Sequence, residues 1–201
     1  MNLPNKLTLI RIVLIPVFVL FVYLQFTGHY FVALGVFAVA SLTDFFDGYI
    51  ARKYDLVTDL GKFMDPIADK VLVLSAFAVM LCYPFYDNAF ACAFGWETGL
   101  ILGGVGLAII SAREMVVSSL RMIAAKKGVV LAAEKIGKIK TFFSDLTIVE
   151  MLVAGAIVPI NGDAGKVLCV IGLALYGVSV LLTIVSGASY LVKNRGVFSE
   201  K

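Results

Sequence analysis

Six long apolar stretches separated by short polar gaps dominate the chain, at residues 9–26, 31–54, 65–83, 99–125, 139–160 and 166–192. Each comes close to or exceeds the ~20 residues that cross a bilayer as a helix. A soluble core built from 201 residues could not hide them all, and the apolar surface left outside would aggregate. Composition agrees, with 61% hydrophobic and 15% charged residues, against about 45–50% and about 25% in soluble domains. The expected fold is all-α: an integral membrane protein with six transmembrane helices in one domain, residues 1–201. Turn residues mark the gaps, as in Thr27-Gly28-His29 and Asn161-Gly162-Asp163. The first apolar stretch runs on without a small-residue cleavage site, so it is expected to be a retained span and not a signal peptide. The partly polar opening, residues 2–11 with Pro4, predicts a short interfacial helix ahead of that span.

Orientation follows from where the bases fall. With the N-terminus in the cytoplasm, 16 of the 17 Lys and Arg residues lie at or near the inner face, and only Lys166 lies outside. The positive-inside rule then puts both termini in the cytoplasm. A net charge of +3 gives no reason to expect a nucleic-acid partner. Cys82, Cys92 and Cys169 are odd in number and, with His29 as the lone histidine, form no ligand-spaced cluster. A disulfide framework and a zinc site are therefore not expected.

Four acids stand where bare charge is costly. Asp44 and Asp47 are three residues apart near the inner end of the second stretch, and Asp65 and Asp69 are four apart at the inner start of the third. Each pair shares a helix face. The short connection makes the two helices antiparallel neighbours, so the four carboxylates are expected around one cavity just inside the membrane. Such a cluster needs positive charge to stay ionised, and its oxygen donors suit Mg²⁺, Mn²⁺ or Ca²⁺. Two divalent ions would balance it and could clamp phosphoryl oxygens for in-line displacement. Gly48, Ala51 and Gly61 would let a ligand approach the backbone closely, and Arg52 could grip a phosphate. Asp55 and Asp59 read instead as a solvated charge belt paired with nearby lysines. A cation-coupled transporter is the alternative from another class, but transporters place their acids near the midplane and often show repeats, and neither feature is present here.

The pattern Asp44-x-x-Asp47-Gly48-x-x-Ala51-Arg52, eight residues, then Gly61-x-x-x-Asp65-x-x-x-Asp69 resembles the signature of the CDP-alcohol phosphotransferase family. That resemblance implies six transmembrane helices, a cytosol-facing site with two divalent metals (Mg²⁺ or Mn²⁺), and a homodimer. It implies attack of an acceptor hydroxyl on the β-phosphorus of a CDP-linked donor, with release of CMP. Asp44, Asp47 and Asp65 would be metal ligands, Asp69 a ligand and the general base, and Gly48, Ala51, Arg52 and Gly61 the CDP pocket. The opening residues 2–11, the run from Arg113 to Arg121 and the run from Lys135 to Thr141 resemble bacterial members of the family. In these the donor is CDP-diacylglycerol and the acceptor sn-glycerol 3-phosphate, at the plasma membrane. Another phosphatidyl group (giving cardiolipin), inositol phosphate and serine are the alternative acceptors.

A phosphorylated acceptor also has physical support in the bases. Arg113 and Arg121 are eight residues apart, about 80° round an ideal helix, so both can face one cavity. Lys135 and Lys138 share a face, whereas Lys140 points elsewhere on an ideal helix. Arg113, Arg121, Lys135, Lys138 and Lys140 together form the expected acceptor-phosphate pocket. Its plainer reading is a positive-inside anchor for anionic lipid headgroups, which suits Lys126 and Lys127 best. Glu114 is expected to pair with a neighbouring base, and Asp145 and Glu150 to bond between helices.

Overall fold

The computed structural model describes residues 2–24, 26–54, 58–81, 85, 87–129, 131 and 134–197, and for residues 3, 4, 45, 48, 49, 51, 52, 59, 60, 62, 63 and 126 the backbone alone. Every regular element among them is helical. The order is α1 (Leu3–Tyr23), α2 (His29–Lys53), α3 (Asp59–Met80), a π-helical turn (Asp87–Ala91) running into α4 (Cys92–Phe94), α5 (Trp96–Lys126), α6 (Lys135–Ile157), α7 (Gly162–Lys193) and a closing 3-10 turn (Arg195–Val197). Boundaries follow local chemistry. The Thr58 side chain accepts from the Gly61 amide and starts α3 six residues earlier than the apolar run suggests. Asn161 caps α7 in the same way, through the Ala164 amide.

Among the described residues, α1, α5 and α7 are each long and apolar enough to cross a membrane, and α2 contributes a shorter apolar stretch over His29–Asp44. α3 and α6 fall short on apolarity because they carry the charges of the site. Their lengths of 22 and 23 residues still correspond to about 33–35 Å of helix.

α1 differs from expectation. It is one unbroken helix from Leu3, so the polar opening is the start of the first long helix and not a separate interfacial element. The reason lies in its spacing. Asn5, Thr8 and Arg11 are buried, and the same stripe continues as Ile15, Phe18 and Val22. The polar residues Asn5, Thr8 and Arg11 face inward, toward α2 and α3, while Leu9, Ile10 and Val13 are exposed.

α6 packs along α7, α1 along α2, α3 against α1, and α5 against α7. Phe18, Phe37, Phe77, Phe85, Met151 and Tyr176 belong to the main core. Along α7 the buried stripe is small or polar (Gly165, Gly172, Ser179, Thr183, Ser186), while Leu181, Ile184, Val185 and Val192 are exposed. Water would expel such an outside, whereas lipid accepts it, and close packing of small residues then holds the helices together. Hydrogen bonds stitch the interior: Ser144 to Ser179 at 2.8 Å, and the Tyr176 hydroxyl to the Gly103 carbonyl at 2.7 Å.

Candidate active site

The start of α1, the end of α2, the start of α3, the end of α5, the start of α6 and the end of α7 carry the polar machinery. The four aspartates divide into two settings. Asp44, Asp47 and Asp65 meet α1. Arg11, fully buried, places Nη2 2.5 Å from Asp47 Oδ2 and Nη1 2.7 Å from Asp44 Oδ1, and its Nε donates to the Ala40 carbonyl at 3.3 Å. The Nη1 contact is an ion pair without hydrogen-bond geometry. Thr8 Oγ1 donates to Asp65 Oδ1 at 2.5 Å and lies 3.4 Å from Asp47 Oδ2. Asp47 is 2% exposed, and a carboxylate that deep is sustained by its paired guanidinium.

Asp69, four residues beyond Asp65, is exposed and turns to two cavities. The larger, about 200 Å³, joins Asp69 to Arg113 and Arg121 of α5, Lys138 and Thr141 of α6, Glu134 just before α6, and Tyr190 of α7. The smaller, about 30 Å³, is lined by Asp69, Glu114, Lys140, Ser144 and Asp145. A basic wall and the Asp69 carboxylate therefore share one space.

The bases are held in different ways. Arg113 Nη1 pairs with Glu114 at 3.0 Å, and Lys140 Nζ reaches the same carboxylate oxygen at 2.8 Å from α6. Glu114 thus pairs with two bases, as its position suggested. Lys140 is only 3% exposed and lines the smaller cavity rather than the larger. Lys135 is exposed and lines neither. Arg113 crosses between α6 and α7 where Gly137 and Gly187 leave room, since a Cβ at Gly187 would stand 3.0 Å from Arg113 Cγ. Arg121 donates through Nε to the Tyr190 hydroxyl at 3.1 Å, with its guanidinium 5.5 Å from the ring centroid.

Of the residues assigned to a CDP pocket, Gly48, Ala51 and Arg52 lie outside the residues whose side chains are described. Asp55 and Cys82 lie outside the described residues altogether, and Asp59 is described by its backbone alone. Gly61 is a close-approach point, because a Cβ there would meet Asn5 Oδ1 at 2.8 Å. Glu150 makes no interhelical bond among the described residues, as both its oxygens are buried without a hydrogen-bond partner. Sequence reasoning missed Arg11, Thr8, Glu134 and Tyr190. The three-residue spacing of Asn5, Thr8 and Arg11 was a readable signal of a buried polar stripe, whereas nothing local marks Tyr190.

The residues present suit a hard divalent cation in kind. Asp44, Asp47 and Asp65 each commit one oxygen to α1, and among the described residues the other oxygen of each, and both oxygens of Asp69, have no ion-pair or hydrogen-bond partner. Among the described residues, no three acidic, histidine or cysteine side chains gather as a metal-ligating group.

Comparison with known proteins agrees with this geometry. A family model described as CDP-alcohol phosphatidyltransferase matches residues 1–185. A protein of Rickettsia typhi is 36% identical over 189 residues, covering 94% of each chain. A Bacillus subtilis protein is 35% identical over 206 residues, covering 96% of this chain and 95% of its own. A Shigella flexneri serotype 5b protein is 36% identical over 196 residues, with the same coverages. All three relatives are named CDP-diacylglycerol–glycerol-3-phosphate 3-phosphatidyltransferase. With the aspartate signature, the helical architecture and this match in agreement, the chain belongs to the CDP-alcohol phosphatidyltransferase family.

Proposed function

We propose that this chain transfers the phosphatidyl group of CDP-diacylglycerol to sn-glycerol 3-phosphate, giving phosphatidylglycerophosphate and CMP. One observation carries the reading: the 200 Å³ cavity lined by Asp69 together with Arg113, Arg121 and Lys138. An acceptor with a phosphate at one end and a hydroxyl at the other matches that polarity. The names of the relatives support the same donor and acceptor.

In this reading Arg113, Arg121 and Lys138 bind the acceptor phosphate, with Arg offering a planar fork that fits its oxygens. Asp69 takes the proton of the acceptor hydroxyl. The hydroxyl oxygen bonds to the β-phosphorus as the bridging bond to CMP breaks, and CMP leaves with the bridging oxygen. Members of the family generally use divalent metals. Asp44, Asp47, Asp65 and Asp69 would hold two such ions, Mg²⁺ or Mn²⁺, which when bound neutralise pyrophosphate charge and stabilise the leaving group. As the family signature implies, Gly48, Ala51, Arg52 and Gly61 would form the CDP pocket. Lys140 holds Glu114 in place, and Lys135, exposed and lining neither cavity, is left out of the phosphate grip.

The acyl chains stay in lipid, and the acceptor arrives from water. Six spanning helices in one domain, both termini and the site on the cytoplasmic side of a bacterial plasma membrane, and a homodimer complete the proposal. The one-sided distribution of 16 bases supports the orientation. The test is an assay of the purified chain with radiolabelled glycerol 3-phosphate and CDP-diacylglycerol, with and without EDTA. Labelled lipid is expected only with both substrates and metal. Equal labelling with serine or inositol phosphate as acceptor, or none with glycerol 3-phosphate, overturns the assignment.

A further inference from the structure

The aspartate cluster is organised by a helix that carries none of its carboxylates. Arg11 of α1 is fully buried and faces three ways at once: to Asp44, to Asp47 and to the Ala40 carbonyl. The carbonyl contact fixes the guanidinium plane, so the two aspartates are oriented as well as partly charge-balanced. Thr8, one turn earlier, does the same for Asp65 with its hydroxyl. Among the described residues one oxygen of each acid is engaged: Oδ1 of Asp44, Oδ2 of Asp47 and Oδ1 of Asp65.

We propose that Arg11 is a positioning residue for the cation site. By holding one oxygen of Asp44 and one of Asp47, while Thr8 holds Asp65, it presents their opposite oxygens to a divalent cation. The inference rests on the metal-dependent reading above. Ligating carboxylates are ordinarily fixed by outer hydrogen-bonding partners, and here those partners come from α1. Arg11 also sets the charge. Four carboxylates with one guanidinium carry three net negatives, so two divalent ions leave the site with one net positive charge. An anionic pyrophosphate is then attracted rather than repelled.

Plain electrostatics predicts the opposite behaviour for metal affinity, because a fixed cation beside a cation site weakens it. The two accounts separate on charge-conserving and charge-removing variants. The purified full chain, stripped with EDTA and without substrate, is titrated with Mn²⁺ while free Mn²⁺ is followed by electron paramagnetic resonance. R11Q and R11K are each expected to bind Mn²⁺ roughly 10- to 100-fold more weakly, since neither restores the planar fork. T8V is expected to weaken binding in the same direction by a smaller factor. Unchanged or tighter binding by R11Q, or wild-type affinity in R11K, overturns the proposal. Where R11Q does not elute as a folded species on size exclusion, R11K and T8V decide it by the same criteria. A wild-type chain that binds no Mn²⁺ overturns the metal reading and this proposal with it. Equal affinity in wild type and all α1 variants overturns this one alone.

Discussion

At the residue scale, function depends on where single polar groups point. Asp69 has no ion partner among the described residues and lines both cavities, which supports the proton-accepting role proposed for it. Asp69→Asn is expected to lower turnover by at least roughly 100-fold, with CDP-lipid binding partly retained in an equilibrium binding assay. Near-normal turnover would remove Asp69 from the base role. Tyr190 is buried and holds Arg121 by a hydroxyl contact and its ring face. Tyr190→Phe keeps the ring and loses the hydrogen bond, about 1 kcal/mol or roughly five-fold in acceptor KM. The KM for CDP-diacylglycerol should not move. Steady-state kinetics with each substrate varied in turn checks both statements, and a change confined to the CDP-lipid KM would contradict them. The aspartates were legible in sequence because their spacing on helices is regular. Tyr190 was not, because it lies 69 residues from Arg121 and sits in a stretch that reads only as apolar.

At the element scale, the helices that carry the site are joined by a few buried polar contacts. Lys140 of α6 and Glu114 of α5 are the main ionic link between those helices, at 2.8 Å and nearly out of solvent. Lys140→Met leaves Glu114 with Arg113 alone. Removing one partner of a buried pair costs about 3–5 kcal/mol, and the partial exposure of Glu114 places this case at or below the lower end. The thermal midpoint of the purified protein in detergent should fall accordingly. Adding Glu114→Leu should recover much of the loss, and a double variant no more stable than the single one would argue against the pair. Helix existence was readable from apolar runs, and every expected span has a helix over it. The ends were harder. α3 begins at Asp59 because Thr58 caps it, a local hydrogen bond that a hydropathy average does not register. α1 absorbed the supposed interfacial segment for a similar reason: polarity says that a residue needs partners, and only packing says whether water or Asp65 supplies them.

At the scale of the whole molecule, the one-sided charge distribution supports the proposed topology. A membrane-impermeant maleimide, applied to intact cells expressing variants without native cysteines, should label Lys166→Cys. Lys127→Cys should label only after permeabilisation, and the reverse pattern would invert the proposed orientation. The sequence by itself determined that the chain is helical and apolar, which end of the helices collects charge, and which acids are spaced to work together. Those properties depend on near neighbours along the chain and on composition, so they survive without coordinates. The tertiary structure alone decided how the acids are partnered. Arg11 lies 33 residues from Asp44 and 36 from Asp47, and Thr8 lies 57 from Asp65, so no local periodicity links them. It also decided that Asp69 faces the bases of α5 and α6 while its three companions face α1. A carboxylate's partners are set by whichever buried helix faces it, and that choice is made only when the helices pack.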